Sequence, residues 1–170
     1  MIALYVVLGI IALLLAIAVI KALLFVPKKN EVIEIENIEV DIEKAARDLS
    51  DMVKCKTISH RDREQENNEE FERFIALLPE KFPLIYKNCT FERVSDRAIL
   101  YHLKGKSSKA PSVFTAHFDV VDVEEKDWSK APFCGEIENG FLWGRGSLDT
   151  KSTLNASMQA LEQLLGDGFV

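Results

Sequence analysis

Three side chains combine residue types and spacing that suit metal-assisted hydrolysis. His117 and Asp119 lie two residues apart, directly after the apolar run 113–116. Alternate side chains of a strand point to the same side, so the imidazole and the carboxylate are predicted to share one side at the carboxyl end of a strand. An imidazole placed there can bind a metal ion while a neighbouring carboxylate orients the ring. The alternative is a surface histidine beside a turn-forming aspartate.

The third side chain is a second carboxylate, from the turn 144–149, which contains two glycines and precedes a predicted helix. Asp149, at the end of this turn, can project into the same site as His117. A carboxylate that bridges two divalent cations, roughly 3.5 to 4 Å apart, is what a two-metal hydrolase requires. The alternative role for Asp149 is the N-cap of the helix that follows.

The hydrophobic pattern predicts the elements that must position these residues. Apolar residues at helical spacing predict helices at 41–55, from Asn68 to a stop between Pro79 and Pro83, and at 151–165 before Gly166. Short apolar runs predict strands at 84–86, 97–103 and 112–116, with a loop at 57–67 and a turn at 105–109. Asn139-Gly140 predicts a hairpin over 136–143. Helices, strands and a further helix in this order predict an α/β fold.

The composition separates an apolar segment from an ordinary soluble one. Of the first 26 residues, 24 are apolar, whereas the whole chain of 170 residues is 48% apolar with a net charge of −6. Residues 1–26 are predicted to be a transmembrane anchor, because about 20 apolar residues cross a bilayer and a basic n-region and small-residue cleavage site are missing. Residues 27–40 are predicted to be a charged tether. Lys21, Lys28 and Lys29 favour a cytoplasmic soluble part by the positive-inside rule.

Charge and cysteine content exclude other classes of protein. The acidic balance argues against nucleic-acid binding, and the composition is not that of a disordered chain. The three cysteines are widely separated and match no zinc-finger or Cys-x-x-Cys spacing, so they are predicted to be free thiols. The sequence makes no prediction of the oligomeric state.

Four motifs in order carry a resemblance to a known family. They are HFDVV at 117–121, Trp128 with APF at 131–133, NGFLWGRG at 139–146, and LDTK at 148–151. Together with KTIS at 56–59, they closely resemble the cocatalytic-zinc exopeptidases of metallopeptidase family twenty, which include aminoacylase, Gly-X carboxypeptidase and succinyl-diaminopimelate desuccinylase types. The resemblance covers about residues 41–170. It implies the N-terminal part of a three-layer α/β/α catalytic domain.

The resemblance also implies roles for the site residues. His117 would ligate one zinc ion, Asp149 would bridge two, and Asp119, the catalytic-motif aspartate, would orient His117. Arg145 and its flanking glycines would shape the loop, with Trp128 and residues 132–133 as scaffold. The substrate would be a peptide or an N-acyl amino acid, hydrolysed at an amide bond. Cobalt or manganese would also suit these ligands.

Two departures from the family pattern limit what this chain is expected to do. Ser152 stands where the family usually has glycine, and the family's general-base glutamate and remaining metal ligands lie beyond Val170. We therefore expect 41–170 to be an incomplete catalytic domain that binds zinc weakly and has no peptidase activity by itself. The alternatives are a non-catalytic, membrane-tethered binding module and an anchor with a vestigial domain.

Overall fold

The computed structural model describes residues 2–26, 38–107 and 109–169. The chain divides into a first unit, Met1–Glu39, and a second unit, Val40–Val170. Most of the predicted tether, residues 27–37, lies outside the described residues.

The first unit contains helix α1, Ile2–Leu23. Its 22 residues include a stretch of 18 with a mean hydropathy of 3.1, and none of the 22 is buried. At 1.5 Å per residue, a helix of this length spans about 33 Å, enough to cross a bilayer. Length, composition and position fit a membrane span, and they fit an N-terminal signal sequence equally well.

The second unit is a mixture of helices and short strands, as the α/β prediction requires. Its helices and strands are α2 (Ile42–Val53), α3 (Asn68–Lys81), α4 (Pro83–Asn88), β1 (Thr90–Val94), β2 (Ala98–His102), β3 (Ile137–Glu138), β4 (Phe141–Leu142) and α5 (Lys151–Gly166). Short 3-10 turns lie at Arg63–Gln65 and Glu125–Asp127. The predictions for β2, the Asn139-Gly140 hairpin and α5 are confirmed to within a residue or two.

The core lies among the four helices of this unit. The amphipathic face of α2 buries its last residues against α5, and α4 also packs on α5. The buried cluster consists of Met52, Cys55, Phe74, Leu78, Phe82, Ile85, Cys89 and Met158. Removing this apolar surface from water supplies the main driving force for packing these helices together.

A buried carboxylate ties three of the helices together by polar contacts. Asp48 of α2 accepts a hydrogen bond from Gln159 of α5 at 2.7 Å and forms an ion pair with Lys81 of α3 at 3.4 Å. Lys44, one turn earlier in α2, contacts the same carboxylate at 2.6 Å. A buried carboxylate with these partners avoids the cost of an unpaired charge and fixes the helices in register.

The predicted strand at 84–86 is wrong, because these residues belong to helix α4. Pro83 stands in the first helical turn, where its missing N–H costs nothing. Glu162 of α5 then accepts hydrogen bonds from Leu84 N at 2.8 Å and from Ile85 N at 2.9 Å. A carboxylate at a helix N-terminus stabilises the helix and satisfies its free donors. The helix therefore depends on a residue that is remote in sequence.

The strand predicted at 112–116 has no backbone ladder among the described residues. The chain there has no assigned secondary structure, and the nearest bridge is an isolated parallel one between Ile58 and Val120. The described strands form two separate antiparallel pairs, β1 with β2 and β3 with β4. The three-layer α/β/α arrangement stays a prediction.

Candidate metal centre

The segment that carries His117 and Asp119 is anchored by the stretch KTIS at 56–59. Thr57 is fully buried, and its hydroxyl donates to Phe118 O at 2.5 Å. Val120 N donates to Thr57 O at 2.8 Å, and Ser59 N donates to Val120 O at 2.9 Å. These bonds fix residues 118 and 120, so the intervening Asp119 and the adjacent His117 are held at defined positions.

Aromatic packing adds a second anchor on the buried side of this segment. The Phe118 ring stacks on Phe74 of α3 with ring centroids 4.6 Å apart and planes 7° apart. Phe71 meets the same ring edge to face, at 6.2 Å. Because side chains alternate along extended chain, packing the partly buried Phe118 against α3 leaves His117 and Asp119 on the accessible side, where each is about half exposed.

The loop that presents Asp149 lies directly against the same segment. Gly146 has φ +85°, and a Cβ built on it would lie 2.7 Å from Val120 Cγ1. Its carbonyl accepts from Lys151 N at 3.1 Å, at the start of α5. The close approach requires glycine, because any larger residue would push the loop away from Val120.

Arg145, a residue of this loop, contacts Pro132 and Trp128. Arg145 N donates to Pro132 O at 2.6 Å, and its guanidinium lies over the Trp128 ring at 5.2 Å. These contacts agree with the interpretation of Arg145 as a loop residue and of Trp128 and Pro132 as scaffold.

The structure brings the three predicted site residues together. His117 Nε2 lies 3.2 Å from Asp149 Oδ1, although the residues are 32 positions apart. On the other side of the ring, Nδ1 lies 3.0 Å from the carbonyl oxygen of Asp119 and 3.3 Å from its carboxylate Oδ1. The backbone of Asp119 is therefore the nearer partner of the imidazole, and its carboxylate is the second.

Asp149 is not the cap of the helix that follows. Thr150 occupies the N-cap position of α5, and the Asp149 side chain is 83% exposed. The carboxylate is therefore free to face the imidazole rather than the helix backbone.

The surroundings of His117 favour positive charge. Its pKa is raised above the usual value, chiefly because the carbonyl of Asp119 accepts a hydrogen bond from the protonated ring, with the carboxylates of Asp119 and Asp149 adding to the effect. Partial burial opposes this shift. A site that stabilises a proton between an imidazole and two carboxylates also suits a bound cation.

Sequence reasoning missed two neighbours of the site that follow Asp149. The Thr150 hydroxyl donates to His117 O at 2.9 Å and accepts from His117 N at 3.0 Å. The Lys151 ammonium is fully buried and donates to Met52 O at 3.0 Å and to Cys55 O at 2.8 Å, at the C-terminal end of α2. The signal for both was their place in the LDTK motif.

A groove of about 520 Å³ opens beside the site. One wall is the segment 113–119, and the opposite wall comes from β2 together with Arg63, Glu66 and Arg97. Apolar side chains of Phe71, Leu78, Leu154 and Met158 also line it. The groove therefore combines an apolar surface with polar groups near His117.

The two ligands predicted for the metal do not form a complete metal site by themselves. Within residues 2–26, 38–107 and 109–169, no group of three or more His, Cys, Asp or Glu side chains is placed to hold a metal ion. The site offers one imidazole nitrogen and one facing carboxylate. A catalytic zinc ion usually has three protein ligands.

Comparisons with known proteins place this sequence among the M20 peptidases. Residues 113–170 match the peptidase family M20/M25/M40. The probable carboxypeptidase S-like 2 of Dictyostelium discoideum is 33% identical over 133 residues, which are 76% of this chain and 25% of that protein. Carboxypeptidase S of Saccharomyces cerevisiae is 42% identical over 94 residues, 52% of this chain and 16% of that protein.

A third relative has a different activity in its name. The N-fatty-acyl-amino acid synthase/hydrolase PM20D1 of Bos taurus is 33% identical over 125 residues, 72% of this chain and 25% of that protein. The chain thus spans about a quarter or less of the length of these relatives, and this coverage fits the N-terminal part of such a protein. The matched region 113–170 contains His117, Asp119 and Asp149. The ordered motifs and these similarities agree, and the chain belongs to the M20 peptidase family.

Proposed function

We propose that residues 41–170 form the N-terminal part of a metal-dependent hydrolase domain that cleaves an amide bond in a peptide or an N-acyl amino acid. The observation that supports this most is the approach of His117 Nε2 to Asp149 Oδ1 at 3.2 Å, beside a groove of about 520 Å³. The names of the relatives, which include carboxypeptidases and an N-fatty-acyl-amino acid hydrolase, support the substrate class.

The donor set fits a zinc ion in part. Imidazole nitrogen and carboxylate oxygen are ordinary zinc ligands, and here they face each other from well-anchored segments. His117 would hold one ion and Asp149 would bridge two, with the remaining ligands supplied from outside the described residues. Zinc supplies Lewis-acid polarisation of a carbonyl and lowers the pKa of water when it is bound. Cobalt and manganese suit the same donors.

The residues of this chain have separate tasks in the proposed reaction. The carbonyl oxygen of Asp119 accepts a hydrogen bond from the Nδ1–H of His117, which would leave the lone pair of Nε2 for a metal ion on the side that Asp149 faces. The anchors at Thr57 and Phe74 keep that geometry fixed. The accessible apolar side chains of the groove, among them Phe114 and Leu154, would bind the apolar part of a substrate beside the reacting amide.

Cobalt binding to the full chain in detergent micelles tests the ligand assignment. We expect weak binding that gives visible absorption bands, weakened at least about tenfold in His117→Ala and Asp149→Asn because each removes a ligand. His102→Ala is the matched control, since His102 is exposed on β2 and outside the site. Equal affinity in all four proteins would refute the site. In the longest natural form of the protein, the same His117→Ala change should abolish hydrolysis of N-acyl amino acids and dipeptides, whereas unchanged hydrolysis would favour a non-catalytic role.

We further propose that α1 anchors this domain in a membrane, with the domain on the cytoplasmic side. The 22-residue apolar helix and the lysines that follow it support this placement. The expected result is that membrane-bound protein keeps its N-terminal residues, resists extraction by alkaline carbonate and is protected from protease outside the cell. A mature N-terminus beyond residue 26 would identify a signal sequence instead, and digestion from outside would reverse the orientation.

A further inference from the structure

The Thr150 hydroxyl makes two reciprocal hydrogen bonds with the backbone of a single residue, His117. It donates to His117 O at 2.9 Å and accepts from His117 N at 3.0 Å. A hydroxyl has one donor and two acceptor positions, so this contact uses it in both directions. The two bonds take the place of the backbone ladder that segment 113–119 lacks at this point.

The Thr150 hydroxyl does not make the contact that is usual for its position at the start of a helix. Thr150 is the N-cap residue of α5, where a threonine side chain normally accepts a hydrogen bond from the first turn of the helix. Here the side chain makes no such capping bond. The helix forgoes a contact worth about 1 kcal/mol, and the hydroxyl is used on His117 instead.

The contact between Thr150 and His117 also affects the position of Asp149. Thr150 is covalently next to Asp149, so fixing the backbone of His117 to Thr150 also sets the distance between His117 and the Asp149 carboxylate. That distance is 3.2 Å between Nε2 and Oδ1. From the opposite side, Thr57 holds only the backbone of Phe118 and Val120. The His117 backbone is thus tied to the Asp149 loop through one hydroxyl.

We infer that Thr150 is a positioning residue of the candidate metal centre, whose hydroxyl sets the spacing between the His117 and Asp149 ligands. The effect on metal binding rests on the proposed function, whereas the hydrogen bonds between Thr150 and His117 do not. A ligand pair whose spacing is fixed by folding binds a metal ion more tightly, because the two side chains lose less conformational entropy when the metal binds.

The test compares Thr150→Val, which keeps the shape of the side chain, with Thr150→Ser, which keeps the hydroxyl. Thr153→Val is the matched control, since Thr153 is exposed in the first turn of the same helix. All are studied as the full chain in detergent micelles, with cobalt as the probe. We expect Thr150→Val to weaken cobalt binding about tenfold and to change its visible absorption bands. Thr150→Ser and Thr153→Val should resemble the wild type.

A second readout needs no metal and separates the two proposals. Hydrogen exchange of the His117 amide should accelerate at least about tenfold in Thr150→Val and stay slow in Thr150→Ser, because the Thr150 hydroxyl is its acceptor. Absence of cobalt binding by the wild type, with this exchange pattern intact, would refute the metal site and leave the positioning contact standing. Unchanged amide exchange in Thr150→Val, or cobalt binding equal to that of the wild type, would overturn the positioning role.

Discussion

Replacing Gly146 by alanine is expected to lower the free energy of unfolding of the second unit by about 3 kcal/mol. The new Cβ would lie 2.7 Å from Val120 Cγ1 and 3.2 Å from Lys151 Cδ, in a backbone with φ +85°. Val120 cannot yield easily, because its N–H and C=O are both bonded to the 56–59 stretch. Denaturant unfolding of the full chain in micelles, followed by the fluorescence of Trp128 and Trp143, measures the loss.

The variant Gly140→Ala is the control that distinguishes the steric clash at position 146 from the strain of placing alanine in backbone with positive φ. Gly140 has a similar φ of +80°, but nothing lies within 4 Å of a Cβ built there. This control should therefore cost only about 1 kcal/mol, the price of placing alanine in left-handed backbone. Equal losses in the two variants would mean that the Asp149 loop does not depend on its contact with Val120.

Replacing Lys151 by alanine is the second change with a large expected effect, a loss of about 3 kcal/mol at pH 9. The side chain is fully buried, and its amine donates to Met52 O and Cys55 O. Alanine removes both hydrogen bonds and leaves a cavity between α2 and α5. The same unfolding measurement applies.

The loss of stability in Lys151→Ala should be smaller at pH 7 than at pH 9, and this direction follows from the pKa of Lys151. Burial lowers this pKa from 10.5 to about 8, because the charged form loses its hydration. Between pH 8 and 10.5 the unfolded chain holds the proton more firmly than the folded one, so stability rises with pH in this window and is lost as pH falls through 8. From pH 7 to pH 9 the wild type should therefore gain about 1.4 kcal/mol relative to the alanine variant.

Lys151→Met is the matched control for shape. Methionine keeps most of the buried volume, so it should cost less than alanine at each pH while showing the same change relative to the wild type between pH 7 and pH 9. A difference between wild type and Lys151→Met that stays constant across this range would contradict the shifted pKa of the buried amine.

Local signals in the sequence predict several elements well. Asn139-Gly140 predicts the β3–β4 hairpin because both residues adopt positive φ there. The stop predicted at Gly166 is confirmed to within a residue, since Gly166 is the last residue of α5. The apolar spacing of Met52 and Val53 predicts the buried end of α2. In each case the physical cause lies within the segment itself.

Other features depend on partners that are remote in sequence, and local patterns miss them. Helix α4 depends on the Glu162 carboxylate, 78 residues after Leu84. The contact between Thr150 and His117 joins residues 33 positions apart. At the candidate site, the motifs predict that His117, Asp119 and Asp149 lie together, but they do not reveal that the nearest partner of the imidazole is the Asp119 carbonyl rather than its carboxylate.

The buried amine of Lys151 also bears on the order in which the unit is assembled during synthesis. It donates a hydrogen bond to Met52 O, 99 residues earlier in the chain. Asn155 of α5 likewise donates to Ala45 O, 110 residues earlier. Helix α2 therefore leaves the ribosome long before the helix that covers it, and loops of this length close slowly. His117 likewise emerges before the hydroxyl that holds its backbone. His117 and Asp149 can approach each other only after residues 149–151 have emerged, so these two ligands come together only as the unit folds.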